Sequence, residues 1–333
     1  MHKRNPSSAL LLFAILVSAI SVRSQAPTPS SSPRLFAPYV DMSLTSAEDL
    51  VAVQKQIGIK AVTLAFLSAS GNACAAGWGG LHQTLPSDKL PNGTTVQTLV
   101  KQLQAAGVEV IISIGGQSGT EPALRCKTGS SLQALYQSVI DRYGVTRLDF
   151  DIEGKAITDQ LSVTRRDQAL AALKKADPRL VISYTVEVMP TGLVDSGVKM
   201  LRSARRDGLD IDIVNIMAMD YGAGEDNNGQ MGKDAIDAVE ATQKQFQSAS
   251  LDAKLGIIVM IGVNDEKPEV FTPADAQAVL DFAMKDSSVA LLSLWSLQRD
   301  NASCAGAKSA KPTCSGLRQS EYQFSRAFAA FSK

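Results

Sequence analysis

Histidine is scarce in this chain of 333 residues: only His2 and His82 are present, and His2 falls in a stretch with the features of a removable leader. A Ser-His-Asp triad or a histidine-ligated zinc site would have to be built around His82 alone, which sets both classes aside. Net charge is missing too, because 33 Lys and Arg balance 33 Asp and Glu. With no long-range field pulling it to an anionic polymer or membrane, the chain is expected to bind neither nucleic acid nor lipid, and a polymeric partner should be neutral. No Gly-x-x-x-x-Gly-Lys or Gly-x-Gly-x-x-Gly loop stands where a strand meets a helix, which argues against phosphate and dinucleotide sites. Aromatic residues make up only 5% and there are two tryptophans, Trp78 and Trp295. Few rings mean few stacking platforms for an extended ligand.

The chain opens Met1-His2-Lys3-Arg4, runs apolar over residues 9–22 and continues Arg23-Ser24-Gln25-Ala26. A basic start, a short apolar run and a small residue make residues 1–24 a secretory signal cut after Ser24, and the protein is expected outside the cell. A membrane anchor is the competing reading, but the run falls short of the ~20 residues that span a bilayer. Residues 25–34 then form a Pro/Ser-rich linker, and residues 35–333 the folded domain. The four cysteines show no Cys-x-x-Cys spacing, so disulfides are expected rather than zinc. Of the possible pairings, Cys74 with Cys126 and Cys304 with Cys314 would each staple neighbouring loops, worth about 4 and about 3 kcal/mol by loop entropy.

Beyond the linker, apolar runs of strand length alternate with longer amphipathic stretches. Strands are predicted at 35–40, 61–66, 108–114, 147–152, 181–186, 211–217, 254–261 and 290–295. Helical periods fall at 96–106, 132–143, 163–175, 236–246 and 273–284, with a last helix over 316–331. Repeated β-then-α units of this number predict a single (β/α)8 TIM barrel of the α/β class. A doubly wound open sheet is the runner-up, but Asp41-Met42-Ser43 after the first strand is not its Gly-rich turn. A barrel places chemistry at the C-terminal strand ends. There this chain carries Asp41, Gly115-Gly116-Gln117, Glu153, Glu187, Asp220, Tyr221, Asp265 and Trp295.

The most informative run is Leu148-Asp149-Phe150-Asp151-Ile152-Glu153-Gly154. Strand alternation sends Leu148, Phe150 and Ile152 to the helices and all the carboxylates to the barrel interior. Unpaired and ionised there, they would be costly, so they are expected to have a function. Same-face neighbours ~7 Å apart repel by roughly 2.4 kcal/mol at an effective dielectric of about 20. A proton is therefore expected to be held along the row, with Glu153 nearest the mouth and protonated near neutral pH as a general acid.

These residues resemble the signature of the family 18 glycoside hydrolases, the chitinases and related endo-β-N-acetylglucosaminidases. Alongside Asp149, Asp151 and Glu153 stand Ser113-Ile114-Gly115-Gly116, Met217-Ala218-Met219-Asp220-Tyr221, Trp295 and a Cys-containing loop ending Trp78-Gly79-Gly80. The resemblance spans the whole mature chain and is strongest to a microbial, chitinase-like branch. It implies hydrolysis of β-1,4-linked N-acetylglucosamine, in chitin or related glycans, without a cofactor. Retention would be substrate-assisted, the sugar's own N-acetyl oxygen attacking in place of a second carboxylate. By the same resemblance Glu153 is acid and base, Asp151 orients the acetamido group, Asp149 supports Asp151, and Tyr221 hydrogen-bonds the acetamido carbonyl. Trp295 would floor the sugar site, with Asp220, Met217, Trp78 and Met260 as further substrate contacts. The chain departs from the family pattern at Thr146, where an acid is common, and at Met219, where a tyrosine is.

Three other functions fit parts of the sequence. A non-catalytic chitin-oligomer-binding protein would not need Asp151 and Glu153 intact. An endo-β-N-acetylglucosaminidase would release N-glycans from glycoprotein. A phosphohydrolase would use the acids to hold a divalent cation and would lose activity in chelator.

Overall fold

The computed structural model describes residues 1–2, 34–44, 50–79, 83–85, 88–90, 92–225 and 229–332. The leader and linker read from the sequence lie almost wholly outside these residues, as does His82. The folded part is a (β/α)8 barrel. Its first strand is split into Leu35–Phe36 and Tyr39–Asp41, and strands two to eight are Ala61–Ala69, Glu109–Gly115, Arg147–Asp151, Val181–Met189, Ile213–Ala218, Lys254–Met260 and Val289–Trp295. Neighbouring barrel strands pair in parallel throughout. The first pairs with the eighth through Leu35↔Leu291 and with the second through Tyr39↔Thr63, so one segment joins the two flanks of the sheet. The strands are rich in Val, Ile and Leu and buried on both faces, as a parallel sheet under helices requires.

Helices Leu50–Ile57, Val96–Ala105, Gly129–Tyr143, Gln160–Ala176, Asp195–Arg206, Met231–Ala249, Pro273–Lys285 and Gln323–Phe328 follow the strands in turn. Several start where the chemistry of the chain says they should. The Thr95 side chain accepts from the Thr98 amide, and Thr272 with Asp275 forms a reciprocal capping box ahead of Pro273. The last helix is a correction to the sequence reading, since it covers only Gln323–Phe328 rather than 316–331. Residues before it are held extended instead: the Val263 amide donates to the Ser315 carbonyl (2.8 Å) and the Ser315 amide to Asn301 (3.2 Å). The Cys304–Cys314 disulfide closes that loop, and Cys74–Cys126 joins the loops after strands two and three. Both pairings are those expected from the sequence.

The last helix and the 3-10 turn Ala329–Ser332 that follows it also fasten the first strand. The Phe36 amide donates to Ser332 Oγ (2.6 Å), and the Phe36 ring meets Phe328 edge-on at 5.8 Å between centroids. At the far end of the second strand, Leu67–Ala69 pairs antiparallel with Ala76–Trp78, which carries the sheet beyond the barrel wall.

Candidate active site

The fourth strand points its acids inward, as its alternation dictates. Leu148, Phe150 and Ile152 are fully buried among the helices, with Phe150 edge-on to both Tyr136 and Tyr184. In register, Asp149 lies between Ser113 and Ser183, and Asp151 between Gly115 and Thr185. Asp149 is 1% exposed and accepts five hydrogen bonds: from Tyr39 Oη (2.8 Å) and Ser113 Oγ (2.6 Å) on Oδ2, and from Ser183 Oγ (2.6 Å), Thr185 Oγ1 (2.8 Å) and Asn215 Nδ2 (3.1 Å) on Oδ1. Five donors from four different strands converge on one carboxylate. That saturates its lone pairs and fixes it as an anchor in the acceptor-only role of a carboxylate.

Asp151 is different. It is 5% exposed, and its Oδ1 has no hydrogen-bond partner. Burial first, then the charges of Glu153, Asp149 and Glu187, push the Asp151 carboxyl well above the usual carboxylate range. Its remaining polar contact is a hydrogen bond shared with Glu153. Burial and then the Glu187 charge lift the Glu153 carboxyl to about 7, against the lowering pull of the Gln117 amide. The glycines beside the row explain how Gln117 gets there. Gly115 has φ +115°, and a Cβ on it would lie 2.1 Å from the Asp151 carbonyl oxygen; a Cβ on Gly116 would lie 2.6 Å from the Phe66 ring. Only bare backbone passes between these two surfaces, and the Gly116 amide takes the Asp151 carbonyl at 3.1 Å.

Asp151, Glu153 and Glu187 open into one cavity of about 500 Å³, lined also by Gly115, Gly116 and Gln117 and, further out, by Arg125, Lys155 and Asp159. A smaller hollow of about 260 Å³ lies at the opposite end of the barrel, around Leu209, Ile211 and Ala253, far from the acid row along the strands. On the other side of the mouth, Trp295 stacks on Phe66 (5.5 Å, 18° between planes) with Tyr39 edge-on at 6.0 Å, and Met219 packs with them. Trp295 and Phe66 remain partly exposed, so they present an aromatic surface at the strand ends. Met217 is half-buried two residues beyond the inward-facing Asn215. Asp220, at φ +52°, accepts from the Asp265 (2.8 Å) and Glu266 (3.0 Å) amides and so ties the loop after strand seven to strand six.

Three residues expected to meet substrate are placed elsewhere. Tyr221 is 6% exposed in the core under the helices, its hydroxyl facing the charges of Asp234, Glu269 and Asp237, because the turn at Asp220 sends it outward. Met219, not Tyr221, takes the inward place. Trp78 is 2% exposed, and its indole N–H donates to Tyr143 Oη (2.8 Å), which donates in turn to Asp88. It is a packing residue of the added hairpin. Met260 faces inward but is 2% exposed beneath the mouth. Sequence reasoning in turn gave no role to Tyr39, Ser183, Thr185 and Asn215. The signal was there: each is a polar side chain at an inward position of a strand that is otherwise mostly apolar, Ser183 and Thr185 alternating on the same one. Among the described residues, no cluster of histidine, cysteine and carboxylate groups is arranged to hold a metal ion.

No family model matches the sequence. Over 323 residues the chain is 33% identical to a probable bifunctional chitinase/lysozyme of Escherichia coli (strain K12), covering 90% of this chain and 34% of that protein. It is 32% identical to endochitinase 11 of Metarhizium anisopliae, covering 80% of this chain and 52% of that one. The chain thus spans about a third and about half the length of these curated relatives. Among solved structures, active domain 2 of a thermostable Pyrococcus furiosus chitinase, in catalytic-site mutants complexed with chito-oligosaccharides, superposes with a TM-score of 0.75 at 29% identity, covering 91% of this chain and 97% of that one. A GH18 chitinase from Pseudoalteromonas aurantia shares the fold at 18% identity and a TM-score of 0.55, covering 80% and 95%. With the acid row of the fourth strand inside the barrel, the chain is thus chitinase-like, similar to chitinases over most of its length and sharing the barrel fold of a GH18 chitinase.

Proposed function

We propose that this chain is a secreted glycosidase that cleaves β-1,4 bonds between N-acetylglucosamine units of chitin and chito-oligosaccharides. The observation that carries it is Glu153: a carboxyl held at about 7 at the rim of a cavity large enough for a sugar ring, above one free and one immobilised aspartate. Glu153 donates its proton to the glycosidic oxygen as the acetamido oxygen of the same sugar attacks the anomeric carbon. The glycosidic bond breaks and an oxazolinium ion forms. Asp151 presents its unpartnered Oδ1 as an acceptor to the acetamido N–H and so orients the attacking oxygen. Glu153, now a carboxylate, takes a proton from water that attacks the same carbon and reopens the ring with retention.

Asp149 has no lone pair left for substrate, and its task is to keep strand four and its neighbours in register under Asp151. Trp295, laid over Phe66 with Met219 beside them, is the stacking surface for the sugar face, Met217 is a further contact at the strand end, and Asp220 holds the seventh-strand loop. The placement of Tyr221 removes it from this scheme. The leader-like start and two disulfides support export, and no described helix is long and apolar enough to cross a membrane. The test is digestion of N-acetylglucosamine oligomers followed by mass spectrometry, with early products read by NMR. Cleavage giving the β-anomer first, slowed at least ~10²-fold in Glu153→Gln, is expected. Oligomers recovered intact, or a variant as fast as the parent, would refute it.

A further inference from the structure

We propose that Glu187 is an electrostatic positioning residue whose charge keeps the proton on Glu153. This role rests on Glu153 being the general acid of the reaction proposed above. The placement follows from strand register. Ser183 and Thr185 face inward on strand five, where both donate to Asp149, and they sit opposite Asp149 and Asp151. The Ile152 amide continues the ladder to the Thr185 carbonyl at 3.0 Å. Two residues further along each strand come Glu153 and Glu187, inward by the same alternation and adjacent across the ladder. Both line the same cavity.

Every residue of strand five from Ile182 to Val188 is buried except Glu187, which is exposed at the mouth. Among the described residues, no hydrogen bond or salt bridge engages its carboxylate. A carboxylate spared any partner and set beside an acid has one direct effect, which is to disfavour a second negative charge there. The other groups facing Glu153 are accounted for. Asp151 on its own strand shares a hydrogen bond with it, the Gln117 amide approaches from strand three, and Asp220 adds negative charge from strand six. Glu121, in the same cavity wall, is committed to Tyr136 (2.7 Å) and Arg166 (3.4 Å), and Asp159 caps the helix that begins at Gln160. Arg125 and Lys155 lie at the outer wall and act in the opposite sense. After burial, Glu187 is the largest influence that raises Glu153.

The experiment is a charge series at position 187 in the full chain: Glu187→Gln, Glu187→Asp and Glu187→Lys. Titration of the Glu153 side-chain carbon by 13C NMR, assigned by its loss in Glu153→Gln, reads the proton directly and needs no turnover. With charges ~6 Å apart and an effective dielectric of about 40 to 80 at the mouth, removing the charge should lower the midpoint by about half to one pH unit. Lys should lower it about twice as far, and Asp should keep most of the parent value. The alkaline limb of kcat/KM on oligomers should move with the midpoint. A residue with a merely structural role would lower activity at every pH and leave both midpoint and limb in place. A Glu153 midpoint equal in the Glu, Gln and Lys forms overturns the proposal even if chitin is cleaved. Uncleaved oligomers with a moving midpoint would overturn the glycosidase assignment instead and leave the electrostatic coupling standing.

Discussion

Asp149 and Asp151 are two residues apart on one strand and should fail in opposite ways. Asp149→Ala strips five buried donors of their common acceptor. Each orphaned buried donor costs about 1–3 kcal/mol, but one water admitted to the vacated space can satisfy two or three of them. A net loss of about 3–5 kcal/mol is expected, the scale of breaking a buried charged network and a large part of a typical domain's total stability. Asp149→Asn should fare little better, since its NH2 would face donors on at least one side. Asp151→Asn is another matter. Its Oδ1 has no partner and burial works against its charge, so the neutral amide should leave stability within about 0.5 kcal/mol of the parent or raise it, while activity falls. Denaturant unfolding of the oxidised proteins at neutral pH measures both. An Asp149→Ala loss below about 1 kcal/mol, or an Asp151→Asn loss equal to that of Asp149→Ala, would show that the five contacts are not the anchor described.

Because the folded-state carboxyl of Glu153 is raised to about 7, its protonated form stabilises the fold below the ordinary glutamate range, and that contribution fades as pH rises through about 7. Glu153→Gln should therefore unfold at higher denaturant than the parent near pH 8 and at the same concentration below about pH 4, a difference read from paired unfolding curves. The two tryptophans should separate cleanly: Trp78→Phe loses its hydrogen bond to Tyr143 and about 1 kcal/mol of stability with KM unchanged, whereas Trp295→Ala raises KM for oligomers several-fold. Equal KM values in the two variants would contradict the placement of both rings.

What could be read from the chain was what repeats with the period of a strand. The alternation through Leu148 to Glu153 put the acids inside, and Gly115-Gly116 marked a close backbone passage, which is where Asp151 and Phe66 crowd it. What could not be read depended on where alternation stops. Strand six ends at Ala218, Asp220 turns to positive φ, and from there the parity that would have aimed Tyr221 inward no longer holds. Trp78 was misjudged for a related reason: the antiparallel hairpin that swallows it is set by a pairing with Leu67, distant from any local pattern. The final helix was overestimated because a disulfide and two backbone hydrogen bonds hold residues up to Gly316 away from it. The helices Leu50–Ile57 and Asp195–Arg206 went unnamed in the sequence reading although each follows its strand as the barrel requires.

The split first strand makes a clasp of the barrel. Its grip on the eighth strand is two residues long, and the same residue Phe36 is pinned from behind by Phe328 and Ser332. Head and tail of the folded domain are thus buttoned at one spot, and tension applied between them would load that button before any other rung. Trimming either end should loosen both together, because each is the other's fastening.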